Sequence, residues 1–307
     1  MILLLIYILS FLLVALVSGN NLPVCCGPLI SSGIMSRRAG IAMAIAGYAS
    51  GYLLEGQLLK AGLLALMPVH SALLVALSLA ITLAIFITAH LLRVPHSLSV
   101  TFTAVILGLS YGIGSAVNGS FVSGVLAFWI ISAVLAGIAT IAIMKASFKV
   151  LTGSRIWVAM GRMKILLIIA SFFSAFVLGA NTIGFVSAST SGIADPAYVM
   201  AITLVAIVAG SVLLSSGELR RMGNEILPLR YLNALVIQAM SVAVVQTATM
   251  FSIPASNTQT FTASLYGAGL SYRTRLLRKR PAITILASWI TTAAVSFALG
   301  YLLIRFL

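Results

Sequence analysis

The chain has 307 residues, 61% of them hydrophobic and 7% charged, with a mean hydropathy of +1.18. Soluble domains run at roughly 45–50% apolar and about 25% charged, so a single water-facing core is excluded, as are disorder, a collagen helix and a soluble nucleic-acid-binding domain. The net charge of +14, from 18 Lys and Arg against 4 Asp and Glu, lies in short segments between apolar runs, as in the inner loops of a membrane protein.

These properties predict an all-α polytopic membrane protein, residues 1–307 forming one membrane domain. A crossing takes roughly 20 residues, which leaves room for about ten. Residues 1–18 are apolar without a basic residue before them or a clear cleavage site after them, and read as a first transmembrane helix rather than a signal peptide. Cys25 and Cys26 follow as an adjacent pair, which gives neither a disulfide framework nor metal-ligand spacing. Further spans are expected near 39–54, 71–92, 100–116 and 122–144, then, after a basic loop, near 165–181, 197–215, 231–250, 260–271 and 282–304. The ninth is short enough to belong to a re-entrant hairpin.

Crossing at all ten, starting outside, places 16 of the 18 basic residues in inner loops, among them Arg37, Arg93, Arg155, Arg220 and Arg280. Lys60 and Arg305 are left outside. The reverse orientation would expose the 16, so both termini are predicted outside the cell membrane, with five crossings in each half.

The halves, about 1–150 and about 160–307, carry matching sequence. RVPHSLSVTFTA around Pro95 and SIPASNTQTFTA around Pro254 align at an offset of 159, pairing Ser97 with Ser256, Thr101 with Thr260 and Gly108 with Gly267. SGNN at 18–21 and GANT at 179–182 align at an offset of 161. Five crossings per half set the second repeat upside-down relative to the first. Inverted-topology repeats with broken helices are a secondary-transporter pattern.

These motifs resemble those of the inorganic phosphate transporter (PiT) family. SGNNLPV (18–24) and GANTIGF (179–185) are similar to its GANDVAN-like motif, and PHSLSV (95–100) and PASNTQ (254–259) to its PVSTTH-like motif. The basic MSRRAG loop (35–40) and the closing ITILASWITTA helix (283–293) extend the resemblance over nearly the whole chain. It implies phosphate transport, roles in substrate binding for Asn20, Asn21, Asn181, Thr182 and Asn257, and Na+ as the coupling ion, held by Asn21 and Thr182. No other cofactor is implied.

The residues support an oxyanion site on their own terms. Pro, Gly and Asn interrupt each motif, where a membrane helix is expected to break, and such breaks are tolerated only inside protein or along a cavity. Helix N-termini after Pro95 and Pro254 present free N–H groups and the positive dipole end. Ser97, Ser99, Ser256 and Thr258 add hydroxyl donors. The bland reading is that such small polar residues pack helices together. Gly47-x-x-x-Gly51 and Gly108-x-x-x-Gly112 fit that role, and His70 and His90 fit structural roles. His96 lies inside a motif. Asp195-Pro196 reads as a helix N-cap followed by proline in the first turn. Glu218 and Glu225 share an inner loop with Arg220, Arg221 and Arg230.

The departures from the family are specific. Its two motif aspartates are Asn21 and Thr182 here, and the downstream Asn becomes Val24 and Phe185. The second position of STTH is Leu98 or Asn257, and its His is Val100 or Gln259. None of the four acidic residues lies at a motif, so a sodium ion would rest on neutral oxygens. A carboxylate accepts the hydroxyl of hydrogen phosphate and repels sulfate, so its loss leaves sulfate as a rival substrate. Uncoupled anion permeation is a further alternative. A membrane enzyme would need an acid, base or metal cluster that the chain lacks. The expected partners are phosphate or sulfate and membrane lipid, without nucleic acid, and a homodimer is allowed.

Overall fold

The computed structural model describes residues 1–92, 96–151, 156–214, 231–271 and 279–307. Arg93, Pro95, Arg155, Glu218, Arg220, Arg221, Glu225 and Arg230 lie outside the described residues, as do Arg273, Arg275 and Arg278 and the side chains of His90, Lys149, Lys279 and Arg280.

Among the described residues the chain is helical, with no strand. In order the helices are α1 (Ile2–Ser31), α2 (Arg37–Glu55), α3 (Leu59–Leu66), α4 (Ala72–Leu91), α5 (Leu98–Gly112) and α6 (Gly119–Leu151). After these come α7 (Ile156–Leu178), α8 (Gly184–Ser191), α9 (Pro196–Leu213), α10 (Tyr231–Met250), α11 (Asn257–Ser271) and α12 (Lys279–Phe306). A 3-10 turn at Gly56–Leu58 joins α2 to α3, and a π-helical turn at Gly179–Ile183 joins α7 to α8. Among the described residues, seven segments are long and apolar enough to cross a bilayer: α1, α4, α6, the continuous Met160–Ser191, α9, α10 and the Ala287–Phe306 part of α12. The protein is an integral membrane protein by this measure. The other three expected spans differ: α2 is less apolar, and α5 and α11 have 15 residues each. Fifteen residues reach about 22 Å, short of the roughly 30 Å hydrocarbon layer.

Local sequence explains the helix starts. Ser36 caps α2 by accepting from the Ala39 N–H at 3.3 Å. Asp195 caps α9 through the Ala197 N–H at 2.8 Å, with Pro196 in the first turn as its sequence predicts. Ser97 is extended (φ −118°, ψ 124°) just before α5, and Ser256 Oγ accepts from the Gln259 N–H at 3.2 Å to start α11.

The packing runs crosswise. α1 lies on α9 and α2 on α7; α5 lies on α12 and α11 on α6; α4 lies on α1 and α10 on α7. The deepest apolar residues include Leu13, Leu22, Phe102 and Phe185, the two phenylalanine rings meeting edge to face at 5.2 Å. The small-residue faces do pack: a Cβ on Gly47 would stand 2.6 Å from the Ala175 Cβ, and one on Gly51 would meet the Phe176 carbonyl. One on Gly108 would meet the Phe297 carbonyl in α12. Gly51→Val therefore destabilises the α2–α7 contact by about 1–3 kcal/mol, the usual cost of overpacking, read as a lower thermal midpoint in detergent. An unchanged midpoint would contradict this close approach.

One expectation needs correction. Asn20 and Asn21 do not interrupt α1, which runs unbroken through Pro23 and Pro28. Asn181 and Thr182 likewise sit in a π turn within continuous helix rather than at a break. A bilayer offers no water to partner freed backbone groups, so a motif is threaded through helix wherever the protein can satisfy the strained turn. Among the described residues of the motifs, helix is absent at His96 and Ser97 before α5 and through the Pro254 segment before α11.

Candidate functional site

The non-helical segment before α11 is the best-defined part of the site. Pro254 has no N–H, and its ring moves Ile253 off the helical region. Pro254, Ala255 and Ser256 are buried, and polar groups of the segment are met by side chains. Asn181 Oδ1 accepts from the Ala255 N–H at 2.8 Å, and Asn181 Nδ2 donates to the Ile253 carbonyl and to Thr249 Oγ1, each at 3.0 Å. Trp129 Nε1 in α6 donates to the Pro254 carbonyl at 2.7 Å. Ser252, at φ +57°, donates through its hydroxyl to the Leu58 carbonyl at 2.6 Å. Asn181 is fully buried and is the hub of this arrangement.

The π turn sets up that hub. The Gly184 N–H reaches back five residues to the Gly179 carbonyl, which widens the helix and re-aims its side chains. Neighbouring residues then serve different walls: Asn181 turns to α10 and the Pro254 segment, and Thr182 meets Ser99 of α5 at 3.3 Å between hydroxyl oxygens. Glycines frame the turn. A Cβ on Gly179 would strike the Tyr48 carbonyl, and one on Gly184 would sit 2.6 Å from the Gly56 Cα.

A second freed backbone group lies in α1. Pro28 cannot donate to the Val24 carbonyl one turn earlier. Gln238 of α10 does so instead, its Nε2 donating to Val24 at 2.6 Å and to the Cys25 carbonyl at 3.0 Å. Ser241, one turn further along α10, donates to Asn257 Oδ1 at the start of α11.

The structure thus brings together several expected residues. Ser99 joins Thr182 across the halves, Asn181 holds the segment leading to Ser256 and Asn257, and Ser256 lies 3.1 Å from Thr258. Ser97, Ser99, Asn181, Thr182, Ser256 and Asn257 are all buried. Thr258 is half-buried. Asn21 is buried on α1 one turn before Val24, and Asn20 is half-buried beside it; both stand outside the hydrogen-bonded set. Ser97 makes no side-chain cap to α5. His96 packs edge to face on Phe86, and His70 Nε2 lies 3.2 Å from the Ser189 carbonyl, both structural contacts. Trp129, Gln238, Ser241 and Thr249 were not among the expected residues. The available signal was weak: a glutamine in an apolar span is rare enough to mark a functional position.

Charge is scarce here. Glu55, at the end of α2, accepts from Gln246 Nε2 at 2.6 Å. No metal-holding group of His, Cys, Asp or Glu occurs among the described residues. A cleft of about 300 Å³ lined by Tyr52, Gln57, Lys60, Ser187 and Ser191 opens beside α8, with Gly184 of the π turn's edge in its wall.

Residues 17–300 match the phosphate transporter family, and so almost the whole chain is covered. No curated protein sequence matches it. A solved structure described as a sodium-dependent phosphate transporter superposes with a TM-score of 0.82 at 14% identity, over 100% of this chain and 99% of that one. At that identity the likeness is one of fold. By the family match, the chain belongs to the phosphate transporter family and is a transporter, not an enzyme.

Proposed function

We propose that the protein carries inorganic phosphate across the cell membrane, coupled to Na+, by alternating access of two inverted repeats, about 1–150 and about 160–307, within one membrane domain. The observation that carries this reading is the Ser99–Thr182 contact, which ties the Pro motif of the first half to the Asn motif of the second. The crosswise packing supports a two-fold relation: each pair, such as α1 on α9, recurs with its counterparts, α7 on α2. Ten membrane segments follow if α2, α5 and α11 join the seven long ones. Basic inner loops support termini that face out.

In this reading the oxyanion is held by the hydroxyls and amides of Asn20, Asn21, Ser97, Ser99, Thr182, Ser256, Asn257 and Thr258 and by the free N–H groups at the starts of α5 and α11, while Asn181, whose amide hydrogens and oxygen are already engaged, positions the segment that leads to Ser256 and Asn257. Na+ takes neutral oxygens from Asn21, Thr182 and freed backbone carbonyls. The fold neighbour is described as sodium-dependent, which supports that ion. The cleft beside Lys60 gives an anion a route toward the π turn. Uncoupled permeation is the second reading, favoured by Asn21 and Thr182 where the family has carboxylates.

Ligand-induced stabilisation of the detergent-purified protein tests the binding half of this account. Phosphate at about 100 times its dissociation constant adds about 2.7 kcal/mol to stability, so the thermal midpoint rises, and rises further with Na+ than with K+. A midpoint that phosphate leaves unmoved in both salts would overturn the reading.

A further inference from the structure

Four buried polar atoms on α10 and α11 have no hydrogen-bond partner among the described residues, on Gln238, Gln246, Asn257 and Ser264. Gln238 is fully buried; its Nε2 is used by the α1 carbonyls, but its Oε1, an acceptor, is unmatched. Asn257 is 3% exposed and accepts from Ser241 through Oδ1, but its Nδ2, a donor, is unmatched. Gln238 and Asn257 are linked through Ser241, which holds Asn257 and lies three residues along α10 from Gln238, a spacing that puts Cβ atoms about 5–6 Å apart. They do not satisfy each other. An unmet polar atom is costly when buried, and a ligand with both a donor and an acceptor would remove both costs.

We infer that Gln238 and Asn257 are the selectivity element of the oxyanion site: Gln238 Oε1 accepts the hydroxyl proton of a protonated tetrahedral oxyanion, and Asn257 Nδ2 donates to one of its bare oxygens. This rests on the phosphate reading above and names how that site tells its substrate from sulfate. Hydrogen phosphate and hydrogen arsenate carry a hydroxyl at neutral pH; sulfate carries none and would set lone pairs against lone pairs. The amide cannot turn round to suit sulfate, because that would aim Oε1 at the Val24 and Cys25 carbonyls that Nε2 now serves. A fixed neutral acceptor thus takes over the discrimination that a carboxylate at Asn21 or Thr182 would supply.

The test is uptake of labelled phosphate into proteoliposomes at neutral pH, with unlabelled sulfate or arsenate as competitor. In the wild type, arsenate competes well and sulfate poorly. Gln238→Met removes the acceptor and shrinks the gap between the two competitors by about tenfold or more, the scale of one lost matched group. Should Gln238→Met fail to fold, Asn257→Asp keeps the Ser241 bond, turns the donor into a second acceptor and widens the gap. Phosphate uptake with the gap unchanged in Gln238→Met, or in Asn257→Asp, overturns the assignment alone. A wild type that takes up no phosphate overturns the phosphate reading with it.

Discussion

Asn181→Ala is expected to abolish transport while leaving a protein that inserts but unfolds at a lower temperature. The side chain makes three hydrogen bonds, to the Ala255 N–H, the Ile253 carbonyl and Thr249. Alanine removes all three and strands a buried N–H, at about 1–3 kcal/mol, together with a part-buried carbonyl. Uptake should fall about a hundredfold, as when a positioning group shifts by about an ångström. The effect reaches the site because Ala255 is followed by Ser256 and Asn257, so the start of α11 moves with it. Asn181→Asp separates shape from hydrogen bonding. It keeps the acceptor for Ala255, loses the donor and sets a carboxylate oxygen against the Ile253 carbonyl, so it should be only partly better than alanine. Normal uptake by Asn181→Ala, measured alongside its thermal midpoint, would remove the hub from the mechanism.

The second large effect is expected from restoring charge. Asn21→Asp places a carboxylate where the family has one, at a position 6% exposed. Two unit charges about 4 Å apart interact by about 4 kcal/mol at an effective dielectric near 20, so a cation is drawn in and an anion without a compensating hydroxyl is pushed out. The variant should depend more steeply on Na+, and sulfate should inhibit it about tenfold or more weakly than it inhibits the wild type. An unaltered preference between phosphate and sulfate would mean that position 21 does not face the anion.

Much of the architecture was legible because it rests on strong, local causes. Apolar length and the placement of basic residues announce the crossings, and Pro254 announces the break before α11 through its missing N–H. Asp195-Pro196 gave its cap directly, and the glycines at 47, 51, 108 and 112 mark packing faces that the structure bears out. The Asn motifs were harder. Asn and Gly are poor helix formers in water, but in a bilayer an unsatisfied backbone costs more than a poor propensity, and so α1 continues through Asn20–Asn21. The extra residue of the π turn at Gly179–Ile183 leaves no compositional mark. Gln238 and Trp129 escaped because they have no echo in the other half: the residues at the 159 offset are Leu79 and Ser288. The repeated motifs mark what the two halves of the sequence share, and a residue that one half carries alone leaves no such mark.

The central claim is that this site moves phosphate with sodium. Uptake of labelled phosphate into proteoliposomes under an inward Na+ gradient, against a K+ gradient of the same size, tests it most directly. The account predicts phosphate accumulated above its electrochemical equilibrium in Na+ and lost when the gradient collapses. Phosphate that only equilibrates, at the same rate in both salts, would show an uncoupled pathway and contradict it.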